Sequence, residues 1–172
     1  VYKRQVTFQS TRFRTSQENI LAYIQEHLNS PVLQQAFGGL PICLVRAGLH
    51  DIAVPNMTAS KYAFNVEWYM HLLLTQCSHL LWLQNTAPQR ADDTDMSIPY
   101  PQTKQRVREY DQAVYQMLLE SDNNTLKQLV TTVDVFEASL GWDHEDNVHL
   151  TPDWNRALGM FFLKLATKIS GF

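Results

Sequence analysis

The sequence has few of the features that define specialised classes of protein. Only two residues are cysteines, Cys43 and Cys77, and each lies in or beside an apolar stretch, so we expect buried free thiols rather than a disulfide framework. Basic residues form no block and the formal net charge is −3, which argues against nucleic acid or an anionic membrane as a partner. No apolar run approaches the length of a membrane span, and no signal-peptide pattern stands out.

The rest of the composition is that of one globular domain. Apolar residues make up 45% of the chain and charged residues 18%, and 172 residues is an ordinary domain length. The first five residues, VYKRQ, match the translation of a sequencing adapter often met in environmental DNA, and an initiator methionine is absent. We therefore expect residues 1–5 to be foreign to the fold, residues 6–172 to form a single domain, and the natural N-terminal part to be missing.

Two triplets fit the acceptor pattern for N-glycosylation. They are Asn56-Met57-Thr58 and Asn123-Asn124-Thr125. The pattern has consequences only if the protein passes through the secretory pathway, which these triplets alone do not establish.

Apolar, β-rich segments alternate with segments of helical periodicity along the chain. We predict strands over residues 6–10, 41–48, 79–88 and 129–139, and helices over residues 15–28, 56–77, 102–121 and from Pro152 onward. Strict alternation of this kind predicts a parallel sheet that is covered by helices on both faces.

Two helix starts can be placed from the residues before them. Asn56 is the predicted N-cap of the second helix, and Thr151 is the predicted N-cap of the last helix, with Pro152 at its first position. The last helix also carries an apolar stripe that we expect to be buried: Trp154, Leu158, Phe161, Phe162, Leu165 and Ile169.

Polar residues whose side chains could take part in catalysis follow several predicted strands. His50 and Asp51 follow the second strand, Asn85 follows the third, and a loop with Asp146 and His149 follows the fourth. The carboxyl ends of parallel strands meet at one edge of the sheet, and ligands of open α/β sheets bind there. We call this edge the rim and expect the candidate site on it.

Two of these segments carry a resemblance to a known family. Gly48-Leu49-His50-Asp51 resembles the G-x-N-D block of the SGNH, or GDSL-like, hydrolase superfamily, and Asp146-Asn147-Val148-His149 resembles its D-x-x-H block. The resemblance implies an α/β, flavodoxin-like three-layer sandwich with a parallel sheet. It also implies a serine esterase or O-acyltransferase that acts on an O-acyl ester of a small molecule or a glycan, and it extends to the carbohydrate O-acyl branch of the family.

The resemblance assigns roles to four residues. His149 is the general base and Asp146 its partner, which holds the imidazole in one tautomer. Gly48 opens the block whose third residue lends a donor to the oxyanion hole, and in this chain that residue is His50 instead of asparagine. A neutral imidazole offers one N–H, so His50 can donate in only one tautomer.

The sequence departs from the family at the nucleophile. No G-D-S block is present, and residues 6–14 lack the glycine of the family's second block, so that Ser10, Thr11 or Arg12 would have to take its place. We expect the nucleophile to belong to the missing N-terminal part and the chain to be inactive as it stands. Ser10 is the rival nucleophile.

Other interpretations remain open at this point. His149 can simply cap or pack against the last helix, and Asp51 can brace its loop. The loop residues Asp143, His144, Glu145, Asp146 and His149 include metal-ligand types, but a solvated acidic loop explains them, and we predict neither a metal nor a cofactor. Trp142 is the candidate for stacking on a substrate, whereas the other tryptophans suit the core.

The functional alternative is a non-catalytic binding or interaction protein that keeps the fold without the serine. If the catalytic interpretation holds, Asp146 lies within hydrogen-bond reach of a His149 ring nitrogen, and His149 shares the rim with His50. The first strand offers two outcomes. Residues 6–10 either pair directly with residues 41–46 or stand apart across an apolar slot, which is the outcome we favour.

Overall fold

The computed structural model describes residues 42–46, 48–89 and 102–169. Its elements are β1 (Ile42–Arg46), α1 (Leu49–Ile52), α2 (Ala59–Leu74), β2 (His79–Leu83), α3 (Lys104–Glu120), α4 (Asn124–Leu129), β3 (Val130–Val133), a 3-10 helix (Glu137–Ser139) and α5 (Pro152–Ile169). The predicted elements at 6–10 and 15–28, the pairing of the first strand and the role of Ser10 lie outside the described residues.

The strands form a parallel sheet in the order β1-β2-β3. In its register, Cys43 of β1 is opposite Leu80 of β2, and Trp82 of β2 is opposite Thr132 of β3. The predicted parallel α/β sheet is confirmed for the described part of the chain.

The sheet is covered on both faces. Leu80 and Trp82 of β2 belong to a core shared with α2 and α3, whereas Leu83 packs with Leu158 and Phe162 of α5. Successive side chains of a strand point to opposite faces, so this division places α2 and α3 on one face and α5 on the other. It explains why β2 reads as an unbroken apolar run.

Two strands end earlier than predicted because side-chain carboxylates accept hydrogen bonds from the backbone N–H groups that follow them. The segment predicted at 79–88 leaves the sheet after Leu83, and the N–H of Asn85 then donates to a side chain of α3 at 3.0 Å. The segment predicted at 129–139 leaves the sheet after Val133, where the N–H of Phe136 donates to Oδ1 of Asp134 at 2.8 Å. The second contact is an Asx turn, a local arrangement that competes with strand pairing.

The predicted cap of the second helix was wrong. Thr58 is the N-cap of α2, and its hydroxyl accepts a hydrogen bond from the N–H of Lys61 at 3.2 Å. Asn56 lies in the preceding turn with a φ of 60°. Asparagine tolerates this left-handed conformation better than most residues, which explains its place in the turn.

The last helix begins at Pro152 as predicted, and the Thr151 carbonyl accepts the N–H of Asn155 at 3.0 Å. Leu158 and Phe162 are buried, but Phe161 is 48% exposed, so its predicted burial was wrong. Phe161 lies at the edge of the stripe and contacts Phe162 edge-on, with 5.3 Å between ring centroids. The stripe is narrower than the sequence suggested.

The prediction of free thiols was also wrong, because Cys43 and Cys77 form a disulfide with 5.8 Å between their Cα atoms. Cys43 lies in β1, and Cys77 lies just before β2. The two cysteines meet only because β1 and β2 are parallel neighbours. The sequence does not reveal that register, so their proximity was missed.

The short helix α4 was not predicted. Asn123 caps it, since Oδ1 accepts from the N–H of Thr125 at 2.9 Å and from that of Leu126 at 3.4 Å. Leu126 fixes the helix to the core, where its side chain is fully buried. Within the described ranges, no helix is both long enough and apolar enough to cross a bilayer.

Candidate active site

The loop between β3 and α5 holds Asp146 and His149 in a compact turn. The loop closes on itself through a bridge between His144 and Leu150, and the N–H of Glu145 donates to the His149 carbonyl at 2.8 Å. Oδ1 of Asp146 accepts from the N–H groups of Val148 at 2.7 Å and His149 at 2.8 Å. The carboxylate is therefore the centre of the turn.

The other oxygen of the same carboxylate contacts the imidazole. Oδ2 of Asp146 lies 2.6 Å from Nδ1 of His149. The backbone N–H groups of His149 and Val148, followed by the His149 ring, lower the pKa of Asp146 to about 2. Asp146 is thus a carboxylate near neutral pH and accepts a hydrogen bond from Nδ1–H of His149. In the neutral form of the ring, this tautomer places the lone pair on Nε2.

The segment after β1 carries the second group of predicted site residues. Gly48 has a φ of 128°, and a Cβ there would lie 2.9 Å from Nδ2 of Asn85 and would collide with the Tyr62 hydroxyl. Only glycine combines this conformation with this close approach. His50 is exposed on α1, whereas Asp51 is fully buried, which favours a bracing role for Asp51 over contact with a substrate.

Gln102 links the two histidine-bearing segments. Its side-chain amide donates to the Leu49 carbonyl, and its own carbonyl accepts from Nδ2 of Asn147 at 2.8 Å. Leu49 precedes His50, and Asn147 lies between Asp146 and His149 in sequence. The predicted contact between Asp146 and His149 is observed. The Gln102 hydrogen bonds show that their loop and the segment of His50 lie on the same rim.

Beneath the rim lies a buried polar network centred on Asp111 of α3. Its Oδ2 accepts from the N–H of Asn85 at 3.0 Å and its Oδ1 accepts from Nδ2 of Asn85 at 2.8 Å. Burial raises the pKa of Asp111 to about 7, although the Asn85 hydrogen bonds act in the opposite direction. Asn85 follows β2 at the rim, as expected, and its side chain is 1% exposed, so it supports the rim from below.

Two further residues complete this network. Tyr62 hydrogen-bonds to Asn85, and burial, followed by the nearby charge of Asp111, raises the pKa of the Tyr62 hydroxyl. Arg46 donates to the hydroxyl of Thr86 at 2.7 Å. Desolvation lowers the pKa of this guanidinium.

Sequence reasoning missed Asp111, although a signal was present. Asp111 lies four residues after Val107 and three before Val114, in the apolar stripe of α3. A charged residue at a buried helical position needs partners, and such groups concentrate near functional sites.

Trp142 precedes the histidine loop and stacks on Trp154 of α5, with 4.8 Å between ring centroids and 9° between ring planes. Both rings are half-buried and pack against the core beneath α5. One face of Trp142 is thus already covered by the protein. Two open clefts lie beside α3, and neither of them includes Trp142, Asp146 or His149.

Ser139 also follows β3 at the rim, but its side chain is unsuited to be a nucleophile. Its hydroxyl donates to the Phe136 carbonyl at 2.8 Å and accepts from the N–H of Ala87 at 2.8 Å, and the residue is fully buried. The described residues hold no group of three or more His, Cys, Asp or Glu side chains arranged to bind a metal ion. His144 instead hydrogen-bonds through Nδ1 to the Trp142 carbonyl.

Comparison with known proteins adds information on the fold. No family model matches the sequence, and no curated protein matches it significantly. Among solved structures, a catalytic mutant of Axe2, an acetylxylan esterase from Geobacillus stearothermophilus, matches with a TM-score of 0.54 and 10% sequence identity. The chain therefore shares its fold with this solved structure. The match covers 86% of this chain and 67% of that chain, and at this identity it establishes the fold alone.

Proposed function

We propose that the chain is part of a serine esterase or O-acyltransferase that acts on O-acyl esters. In this proposal His149 is the general base and Asp146 is its orienting partner. The observation that carries the proposal is the 2.6 Å contact between Oδ2 of Asp146 and Nδ1 of His149. It lies on the rim of a sheet whose fold is that of an esterase. A carboxylate–imidazole pair in this place is suited to activate a hydroxyl.

The chemistry follows from the tautomer. With Nδ1–H donated to Asp146, Nε2 of His149 takes the proton of a serine hydroxyl as the oxygen attacks the ester carbonyl. Asp146 stabilises the imidazolium that forms. Nε2 then returns the proton to the leaving alkoxide, and water or an acceptor hydroxyl completes the transfer.

The developing oxyanion needs hydrogen-bond donors on the same rim. We propose that the exposed His50 donates one, in the place where the family carries an asparagine. The polar network under Gly48 keeps the backbone of this segment in the conformation that lets α1 begin at Leu49. Asp51 braces the segment from inside.

The proposed substrate is an acyl ester on a carbohydrate. The solved structure that shares the fold is described as an acetylxylan esterase, which supports this choice. Trp142 offers an aromatic surface beside the histidine loop, and sugars stack on such surfaces. Small-molecule esters remain the second substrate class of the proposal.

The serine is expected to precede β1 in a longer reading frame, and this defines the test. The 172-residue chain should hydrolyse p-nitrophenyl acetate no faster than equimolar imidazole. A longer frame that carries a G-D-S block should show saturable turnover that His149→Ala abolishes. Turnover by the 172-residue chain itself that Ser10→Ala abolishes would promote Ser10 to nucleophile, and a complete frame without turnover would favour the non-catalytic binding protein.

A further inference from the structure

We propose that Asn56 is an acceptor for an N-linked glycan and that Asn123 is not. Both lie in Asn-x-Thr triplets, so the local sequence pattern does not distinguish them. The structure does, because it places the two asparagines in opposite local environments. The inference is independent of the esterase proposal.

The disulfide supplies the first observation. Cys43 and Cys77 are bonded across β1 and the segment before β2. Disulfides persist in oxidising compartments and are rare in the cytosol. The same secretory route that forms disulfides in eukaryotic cells also carries the enzymes that glycosylate asparagine.

The turn that holds Asn56 supplies the second observation. Its backbone is fixed from the inside, since Arg106 donates to the Ile52 carbonyl at 3.1 Å and the Tyr110 hydroxyl donates to the Met57 carbonyl. Asn56 itself is exposed, as is Thr58. A rigid turn thus presents the acceptor amide to solvent, where a bulky sugar chain costs no buried contact.

Asn123 has the opposite environment. Its Oδ1 caps α4 through the N–H groups of Thr125 and Leu126, and the residue is half-buried. Its own N–H donates to the Ser121 hydroxyl at 3.1 Å. The side chain is therefore tied to the start of a helix once the chain folds.

The transfer requires a donor that the cell supplies, an oligosaccharide linked to a polyprenyl diphosphate. Nδ2 of Asn56 forms a bond to C1 of the first sugar, and the bond between C1 and the diphosphate oxygen breaks. The polyprenyl diphosphate leaves with the bonding electrons, and the amide nitrogen gives up one proton to a base of the transferase. The product is a neutral N-glycosyl amide.

The expected glycan has a defined position relative to the rim. The turn of Asn56 follows α1, which carries His50, so the glycan stands at the carboxyl edge of the sheet. Asn123 follows α3 and precedes β3, at the other edge. Modification at Asn56 would therefore place the sugar chain beside the candidate site.

The test uses two isosteric variants. Asn56→Asp removes the acceptor and tolerates the positive φ, and Asn123→Asp removes the other acceptor and keeps an N-cap. The full chain, fused to a cleavable secretion signal, is produced in a eukaryotic host and analysed by peptide mass spectrometry, with alkylation of free thiols before reduction.

We expect a glycan on the Asn56 peptide of the wild type, its loss in Asn56→Asp, no change in Asn123→Asp, and no alkylated cysteine. Equal melting temperatures of the wild type and Asn56→Asp, both after enzymatic deglycosylation, would show that the variant folds. A bare Asn56 peptide, a glycan on Asn123 in equal amount, or two alkylated cysteines would overturn the proposal.

Discussion

The part of the rim formed by β1 and β2 is held by contacts between residues far apart in sequence, whereas the loop after β3 is held by near neighbours. Asn85 and Asp111 meet across 26 positions and are buried. Asp146 and His149 are three positions apart and exposed. The support under His50 therefore depends on the whole fold, while the Asp146–His149 pair needs only its own turn.

The largest expected effect tests the part of the rim that is held by contacts between distant residues. Cys43 and Cys77 are 34 positions apart, and a cross-link of that span stabilises a protein by about 3–4 kcal/mol through the entropy of the unfolded chain. Reduction, or the double change Cys43→Ala and Cys77→Ala, should lower the free energy of unfolding by that amount in urea titrations. The NMR signals of the His149 ring should stay unchanged, and an unchanged urea midpoint would contradict the expectation.

A second effect concerns the network itself. Asp111→Ala leaves the backbone N–H and the side-chain amide of Asn85 buried without acceptors, which should cost about 2–4 kcal/mol in unfolding free energy. Glu109→Ala, an exposed change on the same helix, is the matched control and should cost less than about 0.5 kcal/mol. Equal losses in the two variants would show that the network contributes nothing special.

The pKa of Asp111 gives the network a pH signature. Because burial raises this pKa from 3.8 to about 7, the folded chain binds a proton that the unfolded chain has released. Stability from this group is fully present below about pH 4 and is lost as the pH rises towards 7. Urea titrations from pH 4 to pH 7 should show the advantage of the wild type over Asp111→Asn shrinking, and an advantage that grew with pH would reverse the assignment.

The smallest expected effect on stability concerns the loop after β3, which is held by near neighbours. Asp146→Asn should cost less than about 1 kcal/mol, because the carboxylate is exposed and screened by water. It should nevertheless change the tautomer of the His149 ring, which nitrogen-15 NMR reads directly. Asp143→Asn on the same loop is the control. An unchanged His149 tautomer in Asp146→Asn would contradict the proposal that Asp146 orients the ring.

The same contrast explains what the sequence revealed. The Asp146–His149 contact follows from a spacing of three on a turn, so local pattern was sufficient to predict it. The buried position of Asn85 and the bond between Cys43 and Cys77 depend on which strands are neighbours and in what register. A single sequence does not state strand register, so those features were missed.

Local competition explains the smaller differences. Asn56 and Thr58 are both good caps by residue type, and the actual turn gave the role to Thr58. The strand predicted to Ser139 stops at Val133 because the Asp134 side chain binds the backbone two residues later. In both cases a hydrogen bond between a side chain and the backbone two or three residues later decided the outcome.

Gly48 has a consequence for finding relatives of this protein. With a φ of 128° and a Cβ position 2.9 Å from the Asn85 amide, Gly48 is constrained twice, because the backbone conformation strains any other residue even if Asn85 and Tyr62 change. Sequences that diverge almost beyond recognition should therefore still keep a glycine at this place, packed against the same asparagine and tyrosine. A search weighted on that linked trio, rather than on overall identity, should separate true relatives from chance matches.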